Sequence, residues 1–469
     1  MKRFGKHGEP RLNRSVFLLL VLCLLFSNNA FAQASAPATQ TTPQQIAAKV
    51  DEYMQAVVRA NNFTGSILVA RNGQPIISKG YRMANFETGT PNTPQTKFRL
   101  GSVTKQFTAM AVMMLQEQGK LSVNDSICKY LADCPALWQP ITIRNLLTHT
   151  SGIPSYTDFP NFMQTIGTRT APSALVETFR NKPLEFAPGE KYKYNNSGYH
   201  LLGLVIERAS GKSYADFLQE NIFAPLAMRD TGYDSNQAII KNRASGYAQQ
   251  GDGLANALYI DMSIPFSAGA LYSTTEDMLR WDAALYTTKL VSQKSLDEIF
   301  TPFKNDYGYG WVIKKQFNRK VIAHGGSIPG FESFIARFPD DRVTLIVLSN
   351  NENAPSEKIG RDLSAIVFGE EYKIPQERTT IAVDPKILDT YVGQYQLAPT
   401  FIITITNENG KLMLQATGQP KFELFAQSET EFFLKAVDAQ VTFVKDGSGR
   451  VTQLILHQGG RDVPAPKIK

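Results

Sequence analysis

The spacing of apolar residues changes along this 469-residue chain, and each change marks a different kind of element. An unbroken apolar run, VFLLLVLCLLF, comes first, followed by QASAPATQTTPQQ, a small-residue polar stretch that cannot build a core. Residues 46–60, IAAKVDEYMQAVVRA, repeat apolar positions at helical intervals. FTGSILVARNGQPIISKGY then reads as two strands joined by an Asn72-Gly73 turn. In FRLGSVTKQFTAMAVMML the apolar residues Val103, Phe107, Met110 and Met114 predict an amphipathic helix that stops near Gly119. Helical stretches and loops fill residues 102–300, among them LLGLVIERASG, which ends at Gly211. GWVIKKQF, KVIAHGG, FESFIARFP and VTLIVLSN bring strands back between 310 and 350. Strands, then helices, then strands predict an α+β domain: an antiparallel sheet built from both ends of the domain, flanked by helices, with a helical cluster between.

Past a linker the rhythm changes again. FIITITNENGKLMLQAT holds an Asn409-Gly410 turn between alternating strands, and VTFVKDGSGRVTQLILHQ continues the pattern. The expected divisions are a signal at 1–32, a linker at 33–45, a main domain at 46–375, a linker at 376–384 and a small antiparallel β domain at 385–469.

The N-terminus changes the meaning of the charge. Lys2, Arg3, Lys6, Arg11 and Arg14 precede the apolar run, and Ala30-Phe31-Ala32 places small residues around a bulky one. That is the layout of a signal peptide cleaved near Ala32, which predicts a periplasmic or secreted protein. Removing residues 1–32 takes away five Lys/Arg and one Glu, so the formal charge of +7 falls to +3. No basic stripe with interleaved aromatics remains, so nucleic acid is not an expected partner. No later segment has 18 consecutive apolar residues, so no membrane span is expected once the signal is gone. Cys128 and Cys134 survive cleavage, lie close together and enter an oxidising compartment, where a disulfide between them is possible. No Cys/His cluster has metal-ligand spacing, so neither metal nor cofactor is expected.

The chemistry starts at Ser102-Val103-Thr104-Lys105. Residues three apart share a helix face, and a helix N-terminus favours an attacking oxygen and the anion it generates. Lys105 can hold or take the serine proton if burial lowers its pKa. Ser-x-x-Lys recurs at Ser126–Lys129, in a polar loop without helical periodicity, so Ser102 is the expected nucleophile. Tyr194-Asn195-Asn196 precedes a helix in a loop rich in Gly and Asn. A tyrosine beside lysines can have its pKa lowered and relay a proton, and Asn196 can donate to a substrate carbonyl. The alternative for this motif is an N-terminal helix cap. His324-Gly325-Gly326-Ser327 follows an apolar strand, where glycines allow close approach and a backbone N–H can complete an oxyanion hole. His324 can donate to a bound carboxylate or tune Tyr194. His149, in LLTHTSGIP, reads as part of a hydrogen-bonded turn, and no Gly-x-Ser-x-Gly elbow supports a triad built on it.

FRLGSVTKQFTAM, LLTHTSGIP, YKYNNSGYHLLG, YGYGW and AHGGSIPGFESF, in that order, resemble the serine β-lactamase/penicillin-binding-protein superfamily. The resemblance covers about residues 45–370. It is to the class C-like branch, which includes D-Ala-D-Ala carboxypeptidases and esterases. The tail beginning DTYVGQYQL resembles the small lipocalin-like, barrel-like β domain that follows such catalytic domains. The resemblance implies an acyl-enzyme on Ser102, with Lys105 as its proton partner and Tyr194 as general base. It also implies substrate binding by Asn196, His324, Gly325 and Gly326, and an oxyanion hole from the N–H groups of Ser102 and Ser327. A histidine stands in place of the strand lysine, and glycine replaces the hydroxyl residue after it. Histidine is mostly neutral at pH 7, which shifts the expectation from β-lactamase towards a peptidase or esterase acting on a peptidoglycan-like peptide or an ester. A penicillin- or peptidoglycan-binding sensor without turnover is the alternative of a different class.

Overall fold

The computed structural model describes residues 42–60, 63–250, 253–375, 380–435, 439–458 and 461–469. The expected signal at 1–32 lies outside them. Helix α1 spans Pro43–Arg59, three residues ahead of the start expected at 46. Thr42 explains the shift. Its hydroxyl accepts the Gln45 N–H at 3.2 Å, Gln45 Oε1 accepts the Thr42 N–H at 2.9 Å, and Pro43 sits where no N–H is needed. Strands β1 (Gly65–Arg71) and β2 (Gln74–Tyr81) turn through Asn72 and Gly73, both at positive φ. Helices α2 (Thr104–Glu117) and α3 (Asn196–Ser210) belong to the middle of the domain. Strands β3 (Val312–Gln316), β4 (Arg319–Ile328), β5 (Phe331–Phe338) and β6 (Val343–Ser349) follow, and then helix α4 (Ser356–Phe368).

These strands make one antiparallel sheet in the order β3-β4-β5-β6-β1-β2. Gly65 pairs with Ser349, so the two ends of the domain meet inside its sheet. Successive residues of a strand point to opposite faces. Ile67 and Val69 pack into the core formed with α1 and α4, while Leu68 and Ala70 face the core that contains α2. Both faces are covered, which is why β1 is apolar at nearly every position.

Helix α2 departs from the amphipathic helix expected. Every residue from Thr104 to Met113 is buried, polar ones included. The helix runs between the sheet and the helical cluster, and most of its polar side chains find internal partners, although Gln106 Nε2 has none among the described residues. Thr108 Oγ1 donates to the Ser267 carbonyl at 2.7 Å, and Gln106 Oε1 accepts from Trp281 Nε1 at 3.0 Å. On the periphery, Cys128 and Cys134 are joined by a disulfide, their Cα atoms 5.2 Å apart.

After helix α5 (Pro385–Tyr391) come eight short strands: β7 (Gly393–Ala398), β8 (Phe401–Glu408), β9 (Lys411–Ala416), β10 (Lys421–Ala426), β11 (Glu431–Leu434), β12 (Ala439–Lys445), β13 (Val451–Gln458) and β14 (Arg461–Pro466). Each pairs antiparallel with the next. The Gln394 N–H donates to the Lys469 carbonyl and the Ile468 N–H to the Gln394 carbonyl, both at 2.8 Å, so the sheet curls back on its first strand. Side chains fill the interior of this barrel-like sheet: Tyr391 stacks on Phe443 with ring centroids 4.1 Å apart, and Tyr395 and Phe432 pack around them.

Candidate active site

Ser102 lies in a single tight turn, Gly101–Val103, that leads directly into α2, and Lys105 sits one turn further on. Lys105 Nζ is 2.9 Å from each of three oxygens: Ser102 Oγ, Asn196 Oδ1 and the Ala268 carbonyl. None is a carboxylate. Burial without a compensating charge pushes the amine well below the usual lysine range. A neutral amine has two protons and one lone pair. Of the three neighbours only the Ser102 hydroxyl carries a proton to give, so the set matches an amine that donates twice and accepts from the serine.

The two readings of Tyr194-Asn195-Asn196 apply to adjacent residues. Asn195 caps α3: its Oδ1 accepts the Gly198 N–H at 2.6 Å, its amide donates to the Ile153 carbonyl, and its main-chain N–H donates to His149 Nδ1 at 3.1 Å. Asn196 faces the cleft, held by its Nδ2 on Thr157 Oγ1 and its main-chain N–H on Ser155 Oγ, each at 3.1 Å. The Tyr194 ring lies under Lys105, with Nζ 4.9 Å from its centroid. Burial raises the phenol pKa, and a hydrogen bond with Ser102 offsets only part of that rise. The lysine-induced lowering expected from sequence is therefore corrected: the lysine is itself driven towards neutrality, and desolvation outweighs it. His149 is buried behind this tyrosine, with ring centroids 4.4 Å from Tyr194 and 4.5 Å from Tyr307. Burial, then Lys105 and His324, hold its pKa well below the ordinary imidazole value.

His324, Gly325, Gly326 and Ser327 lie on β4 beside the nucleophile turn. Burial first, then Lys105, push the His324 pKa down to about 4. Its neutral ring is engaged at both nitrogens: Nδ1 lies 2.5 Å from the Gly325 carbonyl and Nε2 lies 3.0 Å from the Tyr307 hydroxyl. The two glycines differ. A methyl group on Gly326 would sit 2.0 Å from the Leu100 carbonyl oxygen and 2.9 Å from the Ser102 nitrogen. One on Gly101, whose φ is +50°, would sit 2.9 Å from the Ser327 nitrogen. Bare backbone against bare backbone brings the Ser102 and Ser327 main-chain nitrogens close together. Gly325 has room, with its nearest neighbour 3.7 Å away. Ser333 Oγ ties the contact together by donating to the Leu100 carbonyl at 2.7 Å.

A cleft of about 390 Å³ opens over Ser102, Asn196 and Ser327, with an apolar wall that includes Tyr156, Phe162, Met163 and Ile260. Ser126 is committed elsewhere. It donates to the Gln139 carbonyl at 2.8 Å and caps a short turn, while Lys129 pairs with Asp125 at 3.0 Å. Sequence reasoning missed the Ala268 carbonyl, Ser155, Thr157, Tyr307 and Glu352. A backbone carbonyl leaves no trace in residue identity. Tyr307 is the first of two tyrosines in the YGYGW motif, and nothing in that motif marks it as a partner of His324. Among the described residues no group of three or more His, Cys, Asp or Glu is placed to hold a metal ion, and no helix is long and apolar enough to cross a membrane. A hydroxyl beside a neutral amine, two adjacent N–H groups and a protonated phenol are the parts required for acyl transfer.

Comparison with known proteins gives the family. Residues 46–367 match the family model described as Beta-lactamase, and residues 377–465 match a domain of unknown function, DUF3471. The chain is 32% identical over 436 residues to penicillin-binding protein 4* of Bacillus subtilis (strain 168), covering 87% of this chain and 96% of that one. It is 30% identical over 319 residues to the teichoic acid D-alanine hydrolase of Staphylococcus aureus, covering 65% of this chain and 74% of the relative. Among solved structures it is similar to a D-stereospecific amidohydrolase from Streptomyces sp., at 25% identity and a TM-score of 0.60 over 69% of this chain and 99% of that one.

Proposed function

We propose that this chain, which belongs to the beta-lactamase family, is an exported serine hydrolase that forms an acyl-enzyme on Ser102 and cleaves a D-alanyl-type ester or peptide. The observation that carries the reading is the buried Lys105 amine, 2.9 Å from Ser102 Oγ and without a carboxylate partner. The amine takes the serine proton as Oγ attacks the carbonyl carbon. The resulting oxyanion is held by the N–H groups of Ser102 and Ser327. The Tyr194 phenol, protonated at rest, gives its proton to the leaving alcohol or amine, the Lys105 ammonium passes the former serine proton on to the phenolate, and collapse expels the leaving group. Water then attacks the ester carbonyl of the acyl-enzyme, gives up its proton along the same Tyr194–Lys105 pair, and frees the acid and Ser102.

The acyl group is the finer part of the proposal. The names of the relatives point to D-alanyl and D-amino acyl carbonyls. His324 supplies no fixed positive charge for the carboxylate of a penicillin or a peptide C-terminus, which weighs against a dedicated β-lactamase. The basic and apolar segments within residues 1–32 support export. The test is steady-state hydrolysis of a short-chain p-nitrophenyl ester by the protein without residues 1–32. Turnover is expected to persist in Ser126→Ala and to vanish in Ser102→Ala, with a mass adduct trapped on Ser102 in the active protein. A slow, permanent adduct with no turnover favours the sensor reading instead.

A further inference from the structure

The charge of the cleft is lopsided. Among its described lining residues there is a single carboxylate, Glu352, and no lysine, arginine or histidine. Lys105 lies beneath the floor and does not line it. Glu352 follows β6, and its side chain reaches the turn between β4 and β5, where one carboxylate oxygen accepts the Gly330 N–H at 2.7 Å. Its main chain is fixed by the Glu352 N–H on the Tyr247 carbonyl at 2.9 Å. Among the described residues no cation pairs with it. A second carboxyl, Glu332, pairs with Ser327 across β4 and β5. Burial raises the Glu332 pKa to about 7, against a hydrogen bond from Ser327 and with the charge of Glu352 adding to the rise. Burial thus favours the neutral form of Glu332, and the charge that faces the cleft is that of Glu352, which no lining cation answers.

We infer that Glu352 makes this cleft select acyl groups that carry a free ammonium beside an apolar side chain, and reject acyl groups that carry a carboxylate. The apolar wall would receive the side chain, and Glu352 the ammonium. This rests on the acyl-enzyme reading and sharpens it: the substrate class is aminoacyl esters and amides with an unblocked amine. A carboxylate-bearing substrate would place like charge against Glu352, which is disfavoured in a partly enclosed site.

The experiment compares D-phenylalanine p-nitroanilide with its N-acetyl form, on the full chain without residues 1–32. Wild-type kcat/KM is expected to favour the free amine by roughly tenfold or more, as a charge-assisted hydrogen bond allows. Glu352→Gln is expected to lower that ratio by about the same factor, chiefly through KM. Added salt is expected to raise KM for the free amine and not for the acetylated form; this needs no variant and so does not depend on its folding. No preference in the wild type, or an unchanged ratio in Glu352→Gln together with no salt effect, overturns the inference while leaving the hydrolase reading standing. No turnover of either substrate or of the p-nitrophenyl ester, with no adduct on Ser102, overturns the acyl-enzyme reading and this inference with it.

Discussion

Lys105→Met is expected to lower kcat for ester hydrolysis by roughly 10³-fold or more, as Ser102→Ala would, because the two groups act as a unit. The stability of the variant is expected to behave differently from its activity. The Lys105 amine is sealed inside the protein with no opposing charge, so folding holds its pKa below the value of about 10.4 that it has in an open chain. Between those two values the unfolded state binds more protons than the folded one, and stability rises with pH. Below that window the wild type carries the full cost of burying a charged ammonium. Methionine has a similar reach and no such cost, although it leaves Asn196 Oδ1 and the Ala268 carbonyl without their donor. The expected outcome is an inactive protein of near-normal Tm, whose stability relative to wild type is greatest below the folded-state pKa of the amine and declines as the pH rises from there towards about 10. Wild-type kcat/KM should climb with pH along a limb set by this amine, lying below the ordinary lysine range, and the variant should lack that limb. Retention of more than roughly a tenth of wild-type kcat, or a limb that survives the substitution, would remove Lys105 from its role as proton partner.

Gly326→Ala should cost nearly as much, for a steric reason. Its methyl would press on the Leu100 carbonyl and the Ser102 nitrogen, and neither backbone can yield without parting the Ser102 and Ser327 N–H groups. Losing one donor of such a pair costs roughly 10²- to 10³-fold in kcat, and overpacking adds about 1–3 kcal/mol of destabilisation. Gly325→Ala, one residue away, meets nothing nearer than 3.7 Å and is expected to fold normally and keep most of its activity. Thermal melts and kcat for the two variants side by side check this. Similar losses in both would mean that the pair tunes strand conformation rather than spacing the two N–H groups.

Much of this was legible in the sequence, and what was not has physical causes. The sheet could be read because β1 and β6 are short apolar runs bounded by turn residues, as strands covered on both faces are. The middle of the domain could not be read in detail, because periodicity does not hold it together. Ser155, Thr157, Asn195 and Asn196 are fixed by side-chain bonds to backbone and to one another, and such bonds leave no rhythm. The order and spacing of short motifs singled out Ser102 and Lys105, but not the burial that neutralises the amine. That burial arises from Ala268 and the packing around α2, brought up from distant parts of the chain. Tyr194 is the instructive error in sign: proximity to lysine predicts a lowered phenol pKa, and enclosure reverses it.

The pairing of Gly65 with Ser349 also fixes the order in which a working enzyme can come into being. The β1–β2 hairpin is complete early, yet its partner β6 lies at the far end of the domain, and so long a loop must close before the sheet can form. A chain cut between Asn196 and Val343 would hold Ser102, Lys105, Tyr194 and Asn196 and still lack β6, the strand that seats β5 beside β1 and thereby fixes β4 against the nucleophile turn. Synthesis therefore produces the reactive groups long before it produces the architecture that makes them reactive, and a partly made chain is chemically silent.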